Sequence, residues 1–136
     1  MSTNLSNETT VSKKLIDSVN EKKGSTWISF EFFPPKTPQG VETLFQNITK
    51  LKAYNPLFVD FTWGAGGSTS DLTMDLCQRA LKESHLNPNM HLTCTGLDSK
   101  HLDDILDKCH NGGIQNILAL RGDPPQGQGM HSNVLL

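Results

Sequence analysis

Four short apolar runs begin at residues 28, 57, 90 and 116, an interval of about 30 residues. This rhythm constrains the fold more than any other feature of the chain. Ile28-Ser29-Phe30-Glu31-Phe32-Phe33 is stopped by Pro34-Pro35, and Leu57-Phe58-Val59-Asp60-Phe61-Thr62-Trp63 by Gly64-Ala65-Gly66-Gly67. Met90-His91-Leu92-Thr93-Cys94-Thr95 ends at Gly96, and Asn116-Ile117-Leu118-Ala119-Leu120-Arg121-Gly122 at Asp123-Pro124-Pro125. Aromatic and β-branched runs bounded by glycine and proline read as strands. Helical spacing fills the intervals. Thr37-Pro38, a cap with proline at the first helical position, leads into Val41, Leu44, Phe45, Ile48 and Leu51. Ser68 or Ser70 can cap a helix whose face carries Leu76, Cys77, Ala80 and Leu81. Leu102, Ile105, Leu106 and Cys109 mark a third, stopped at Asn111-Gly112-Gly113. Ahead of the first strand, residues 11–23 form a short amphipathic helix ended by Gly24, and residues 1–10 are too polar to order themselves. Strands alternating with helices at this spacing make right-handed βαβ units and a parallel sheet. A (β/α)8 barrel of about 250 residues needs about 31 residues per unit. A doubly wound sheet has a similar rhythm.

The strand faces favour the barrel. Alternate side chains of a strand share a face. Ser29 and Glu31 oppose Phe30 and Phe32; Asp60 and Thr62 oppose Val59, Phe61 and Trp63; His91, Thr93 and Thr95 oppose Leu92 and Cys94. In the fourth strand, Arg121 and Asp123 are expected on the polar side, opposite Leu118 and Leu120. Both faces of a doubly wound sheet meet helices and should be apolar. A barrel turns one face inward and gathers its active groups at the C-terminal ends of the strands. The expected fold is therefore α/β, of the (β/α)8 TIM-barrel type. It divides into residues 1–24, a polar extension with a short helix, and residues 25–136, the first four βα units.

The remaining composition excludes several classes. The net charge is -2, and the paired lysines Lys13-Lys14 and Lys22-Lys23 make no basic stripe, so nucleic acid is not expected as a partner. No run of about 18 apolar residues or secretory leader is present, which argues against a membrane. Cys77, Cys94 and Cys109 are odd in number and widely spaced, as in a reduced cytoplasmic protein. No CxxC or HExxH spacing occurs.

Five features carry possible chemistry. Glu31 lies among three phenylalanines, where lost hydration favours a protonated carboxyl and suits a general acid; a solvent-facing or lysine-paired strand glutamate is the alternative. Arg121-Gly122-Asp123 ends an apolar strand, where Asp123 can accept from a ligand N–H and Arg121 can reach a phosphate; an ordinary Gly-Asp-Pro turn is the alternative. His91 and Thr62 can bond a ligand or simply be satisfied strand residues. The loop from Gly64 to Thr69 offers backbone N–H groups to an anion, but without the GxGxxG spacing or a Walker lysine it is a weak phosphate signal; a flexible loop that lets backbone approach closely is the alternative. A metal set of Glu31, Asp60, His91 and Asp123 can be drawn, but no second histidine joins it on that face, and no metal is assigned.

Four segments together resemble the methylenetetrahydrofolate reductase family. They are Ser29-Phe30-Glu31-Phe32-Phe33-Pro34-Pro35-Lys36-Thr37, Val59-Asp60-Phe61-Thr62-Trp63-Gly64-Ala65-Gly66-Gly67, Met90-His91-Leu92-Thr93-Cys94-Thr95, and residues 116–125 with Leu120-Arg121-Gly122-Asp123. Their order and spacing match the family, with wording closer to its eukaryotic branch. The resemblance implies a barrel binding FAD at the strand C-termini. It also implies reduction of 5,10-methylenetetrahydrofolate to 5-methyltetrahydrofolate, with NADPH or NADH as reductant, in one-carbon and methionine metabolism. It makes Glu31 the general acid and Asp123 a second catalytic residue that influences flavin reactivity. It puts Thr62, His91, Leu120, Arg121, Gly122 and Asp123 at FAD, and Glu31 and Asp123 also at the folate. A cytoplasmic homo-oligomer is implied for the full-length protein. At about 31 residues per unit, 136 residues hold four of eight units, so the chain is expected to be part of a longer barrel, or else an inactive binding or assembly module.

Overall fold

The computed structural model describes residues 13–64, 69–94 and 96–122. The elements follow one another as α1 (Leu15–Glu21), β1 (Ser29–Phe32), α2 (Pro38–Leu51), a 3-10 turn (Lys52–Tyr54), β2 (Phe58–Phe61), α3 (Ser70–Lys82), β3 (Pro88–Thr93), α4 (Ser99–Asn111) and β4 (Ile117–Leu120). The four strands form one parallel sheet in the order β1-β2-β3-β4. A doubly wound sheet reverses its winding at a switch point. No reversal occurs among these strands, so the right-handed crossovers stack every intervening helix on one face. The apolar cluster agrees: Val59, Phe61, Met90 and Leu92 from the strands meet Phe45 and Ile48 of α2, Met74, Leu76, Cys77 and Ala80 of α3, and Cys109 of α4. The opposite face carries no helix among the described residues. This is the expected α/β arrangement of consecutive βα units.

Local chemistry accounts for most element ends. Thr37 caps α2 by accepting from the Gly40 N–H at 3.1 Å, with Pro38 next in line. Asp98 caps α4 by accepting from the His101 N–H at 2.8 Å. Gly24 and Gly113 follow helix ends with φ of 82° and 80°, a conformation costly for residues with a Cβ. Two boundaries differ from expectation. α3 is preceded at its N-cap by Thr69 rather than capped by Ser70, which is already helical. The Thr69 hydroxyl instead accepts from the Gly64 N–H at 2.7 Å and lies 3.3 Å from the Thr73 hydroxyl, which donates to the Thr62 carbonyl at 3.0 Å. That cluster ties the end of β2 to the first turn of α3. Ser68 lies outside the described residues. β3 also starts at Pro88, two residues before its aromatic and aliphatic run. Proline is tolerated there because a first strand residue can forgo its donor.

α1 is held from a distance. The Asn116 side chain accepts from the Leu15 N–H at 2.8 Å and donates to the Lys13 carbonyl at 2.9 Å, the Asn87 amide oxygen at 3.0 Å and the Pro88 carbonyl at 3.2 Å. One buried amide therefore fastens the helix across the N-terminal ends of β3 and β4. The helix spans Leu15–Glu21, shorter than the periodicity suggests, and residues 11 and 12 lie outside the described part. On the outer layer, Arg79 of α3 sits 4.0 Å over the Phe45 ring and bonds Glu42 of α2 at 3.0 Å.

Candidate functional site

The bare face of the sheet gathers the polar strand residues. Register partners in a parallel sheet share a face, and β1, β2 and β3 align Glu31 with Asp60 and Asp60 with Asn89. Two residues further toward the C-terminal ends, β3 aligns His91 with Leu118 of β4, and then Thr93 with Leu120. Thr62 follows β2 on this side, its N–H donating to the Phe32 carbonyl at 3.0 Å. The site thus runs from Glu31 at the β1 side, through Asp60, Thr62, Asn89 and His91, to a wall of Leu118 and Leu120.

Its centre is a bonded trio. The Asp60 Oδ1 accepts from the Asn89 side-chain amide at 2.7 Å and lies 3.3 Å from His91 Nε2. Both partners of the Asp60–His91 pair keep only 14% of their side-chain surface exposed. Asp60 was visible in the sequence only as a metal candidate, and Asn89 not at all. Alternation placed Asp60 on the polar face, but its partners come from the neighbouring strand and follow from the register. His91 gains from the same fact. With β3 starting at Pro88, it is fourth of six strand residues and sits toward the C-terminal end. Among the described residues, no group of three or more His, Cys, Asp or Glu side chains is arranged to hold a metal.

Glu31 is exposed, and its sequence neighbours do not enclose it. Phe30 and Phe32 turn to the helix side, where the Phe32 ring lies 5.7 Å from that of Phe61. Chain adjacency within a strand puts neighbours on opposite faces, so the aromatic run lines the core rather than the carboxyl. Phe33, on the alternation of Glu31, keeps 74% of its surface exposed.

β4 corrects the expected facing. Pairing with β3 puts Leu118 and Leu120, not Arg121, on the side of His91 and Thr93. The run Ile117–Leu120 has no polar alternation, so polarity alone set the wrong phase. Arg121 is exposed just past the strand, and Asp123 lies outside the described residues. Gly122 has a φ of 79° and passes so close to β3 that a Cβ would stand 2.5 Å from Thr93 Cγ2. The end of β4 thereby brings bare backbone onto the polar face.

A parallel sheet wound without reversal, with helices on one side and hydrogen-bonding groups gathered on the other, defines the class of α/β proteins built from consecutive βα units. The chain belongs to the methylenetetrahydrofolate reductase family, whose model matches residues 14–134. It is 49% identical over 117 residues to methylenetetrahydrofolate reductase (NADH) 1 of Arabidopsis thaliana, covering 85% of this chain and 20% of that protein. It is 46% identical over 97 residues to methylenetetrahydrofolate reductase 1 of Schizosaccharomyces pombe, covering 71% of this chain and 16% of the relative. The 5,10-methylenetetrahydrofolate reductase of Salmonella typhimurium is 37% identical over 115 residues, 85% of this chain and 39% of its own. The chain therefore spans about a fifth of the length of the plant relative.

Proposed function

We propose that these three βα units and the fourth strand form the flavin- and folate-facing part of a (β/α)8 reductase that converts 5,10-methylenetetrahydrofolate to 5-methyltetrahydrofolate. The residues present suit FAD. Thr62 and His91 offer hydrogen-bonding groups, Leu118 and Leu120 an apolar wall, and Gly122 a stretch of backbone with no side chain to keep a ring away. Thr62, His91, Leu120, Arg121, Gly122 and Asp123 hold the cofactor in this proposal. FAD supplies hydride transfer, with NADH or NADPH as the source of electrons. Glu31, exposed at the β1 side of the same face, donates a proton to the folate ring nitrogen as the imidazolidine opens, and Asp123 orients the pterin. The observation that carries the proposal is the convergence of Glu31, Asp60, Thr62 and His91 on the one sheet face that no described helix covers. A cytoplasmic location and a homo-oligomer of the full-length protein belong to the same proposal.

The test is a pair of half-reactions on the full-length protein. Glu31→Gln is expected to leave cofactor reduction by the nicotinamide near wild type and to slow folate reduction by roughly 100-fold or more, the usual scale of a general acid. Equal loss in both half-reactions removes the acid role. A purified protein that neither carries nor takes up FAD removes the flavin assignment.

A further inference from the structure

We infer that Asp60 is a positioning residue for His91, holding its ring with Nε2 protonated and so presenting Nδ1 as an acceptor to an N–H or O–H of the bound cofactor. Resting on the proposed flavin site, the inference adds a residue and a ring state to it. A carboxylate oxygen can only accept. Asp60 Oδ1 lies 3.3 Å from His91 Nε2, so the proton of the neutral ring belongs on that nitrogen. Asn89, which is buried, donates to the same oxygen at 2.7 Å and fixes the carboxylate in place. The trio is built across two strands in register, Asp60 beside Asn89 and one pleat below His91. Both members of the Asp60–His91 pair are largely shielded from water, which strengthens a charge-assisted hydrogen bond and slows proton exchange. The other ring nitrogen is then the one available to a ligand. The geometry matches the general habit of carboxylates that orient a histidine from behind and leave its second nitrogen to act.

The experiment reads the ring directly. In the 15N-labelled full chain without added cofactor, His91 is expected to show a slowly exchanging downfield Hε2 resonance, assigned by its disappearance in His91→Gln. Asp60→Asn keeps an acceptor oxygen at this position and is expected to keep that resonance. Asp60→Leu, close in size but without an acceptor, is expected to lose it. The same Asp60→Leu change should weaken FAD binding, followed by fluorescence quenching, by about tenfold, the scale of one hydrogen bond to a charged partner. A wild-type ring with no protected Hε2, or with its proton on Nδ1, overturns the inference. So does retention of the resonance in Asp60→Leu, or its loss in a folded Asp60→Asn. Should Asp60→Leu fail to fold, the wild-type and Asp60→Asn spectra still decide. Absence of FAD binding in the wild type counts against the flavin assignment instead, because the ring resonance is measured without cofactor.

Discussion

Gly122 shows how little room one residue can leave. Its φ of 79° suits glycine, and a Cβ there would overlap Thr93 Cγ2 at 2.5 Å. The two penalties are separable. A left-handed conformation costs about 1–2 kcal/mol for an alanine, and forced overlap adds about 1–3 kcal/mol where the neighbour cannot yield. Gly122→Ala is therefore expected to destabilise the protein by about 2–5 kcal/mol in urea unfolding. Thr93→Ser removes the methyl that would be struck. In the double variant the overlap should vanish and the conformational cost remain, so the two changes should couple favourably by at least about 1 kcal/mol. Strict additivity would show that Thr93 is not the obstacle. Neither residue's part could be read from the chain. Gly122 stands in an Arg-Gly-Asp-Pro run that suggests a turn, and its closeness to Thr93 exists only once β4 lies beside β3.

At the scale of elements, what the sequence revealed depended on whether an element is governed locally. Thr37-Pro38 announced α2 because a cap and its partner, Gly40, are three residues apart. The four strands and their order of appearance were legible for the same reason. The cap of α3 was not, because the Thr69 hydroxyl accepts from the Gly64 N–H just past β2 rather than from a backbone N–H of its own helix turn. The facing of β4 was not, because an unalternating run takes its phase from its neighbour. α1 is the extreme case. Its fastening residue, Asn116, lies 101 positions from Leu15 and looked like nothing more than the first residue of a strand. Asn116→Ala leaves the Leu15 N–H and the Lys13 carbonyl without that amide. The expected cost is about 2–3 kcal/mol, since bonds of this kind are individually small but are costly to leave unmade when buried. More telling is where the damage falls. Trypsin cleavage at Lys13, Lys14, Lys22 and Lys23 should accelerate in native buffer, ahead of cleavage in α3 or α4. Uniform acceleration at all sites would mean that Asn116 supports the sheet rather than α1.

At the scale of the whole molecule, one apolar cluster joins α2, α3 and α4 to β2 and β3, so these three helices have no separate cores in which to unfold one at a time. Two thiols sit at its centre. Cys77 is fully buried, and Cys109 is 1% exposed with its sulfur 3.9 Å from that of Met90. Burial disfavours the thiolate of both: it pushes Cys109 up from 9.0 to about 11, and Cys77 further still, helped by the nearby Cys109 and Asp60. A group with a raised folded pKa keeps its proton in the folded state after the unfolded chain has released it. Its contribution to stability is thus complete below pH 9 and declines as pH rises from about 9 through about 11. Urea midpoints should therefore fall across that window, with far-UV circular dichroism and tryptophan fluorescence moving together because the cluster is shared. Other groups ionise in the same range, so the comparison that isolates the thiols is the Cys77→Ala/Cys109→Ala variant. It begins less stable, having lost buried volume, but its midpoint should decline less steeply between pH 9 and pH 11 than that of the wild type. Parallel declines would place the alkaline sensitivity outside the core, and separate transitions for the two probes would show that the cluster does not unfold as one.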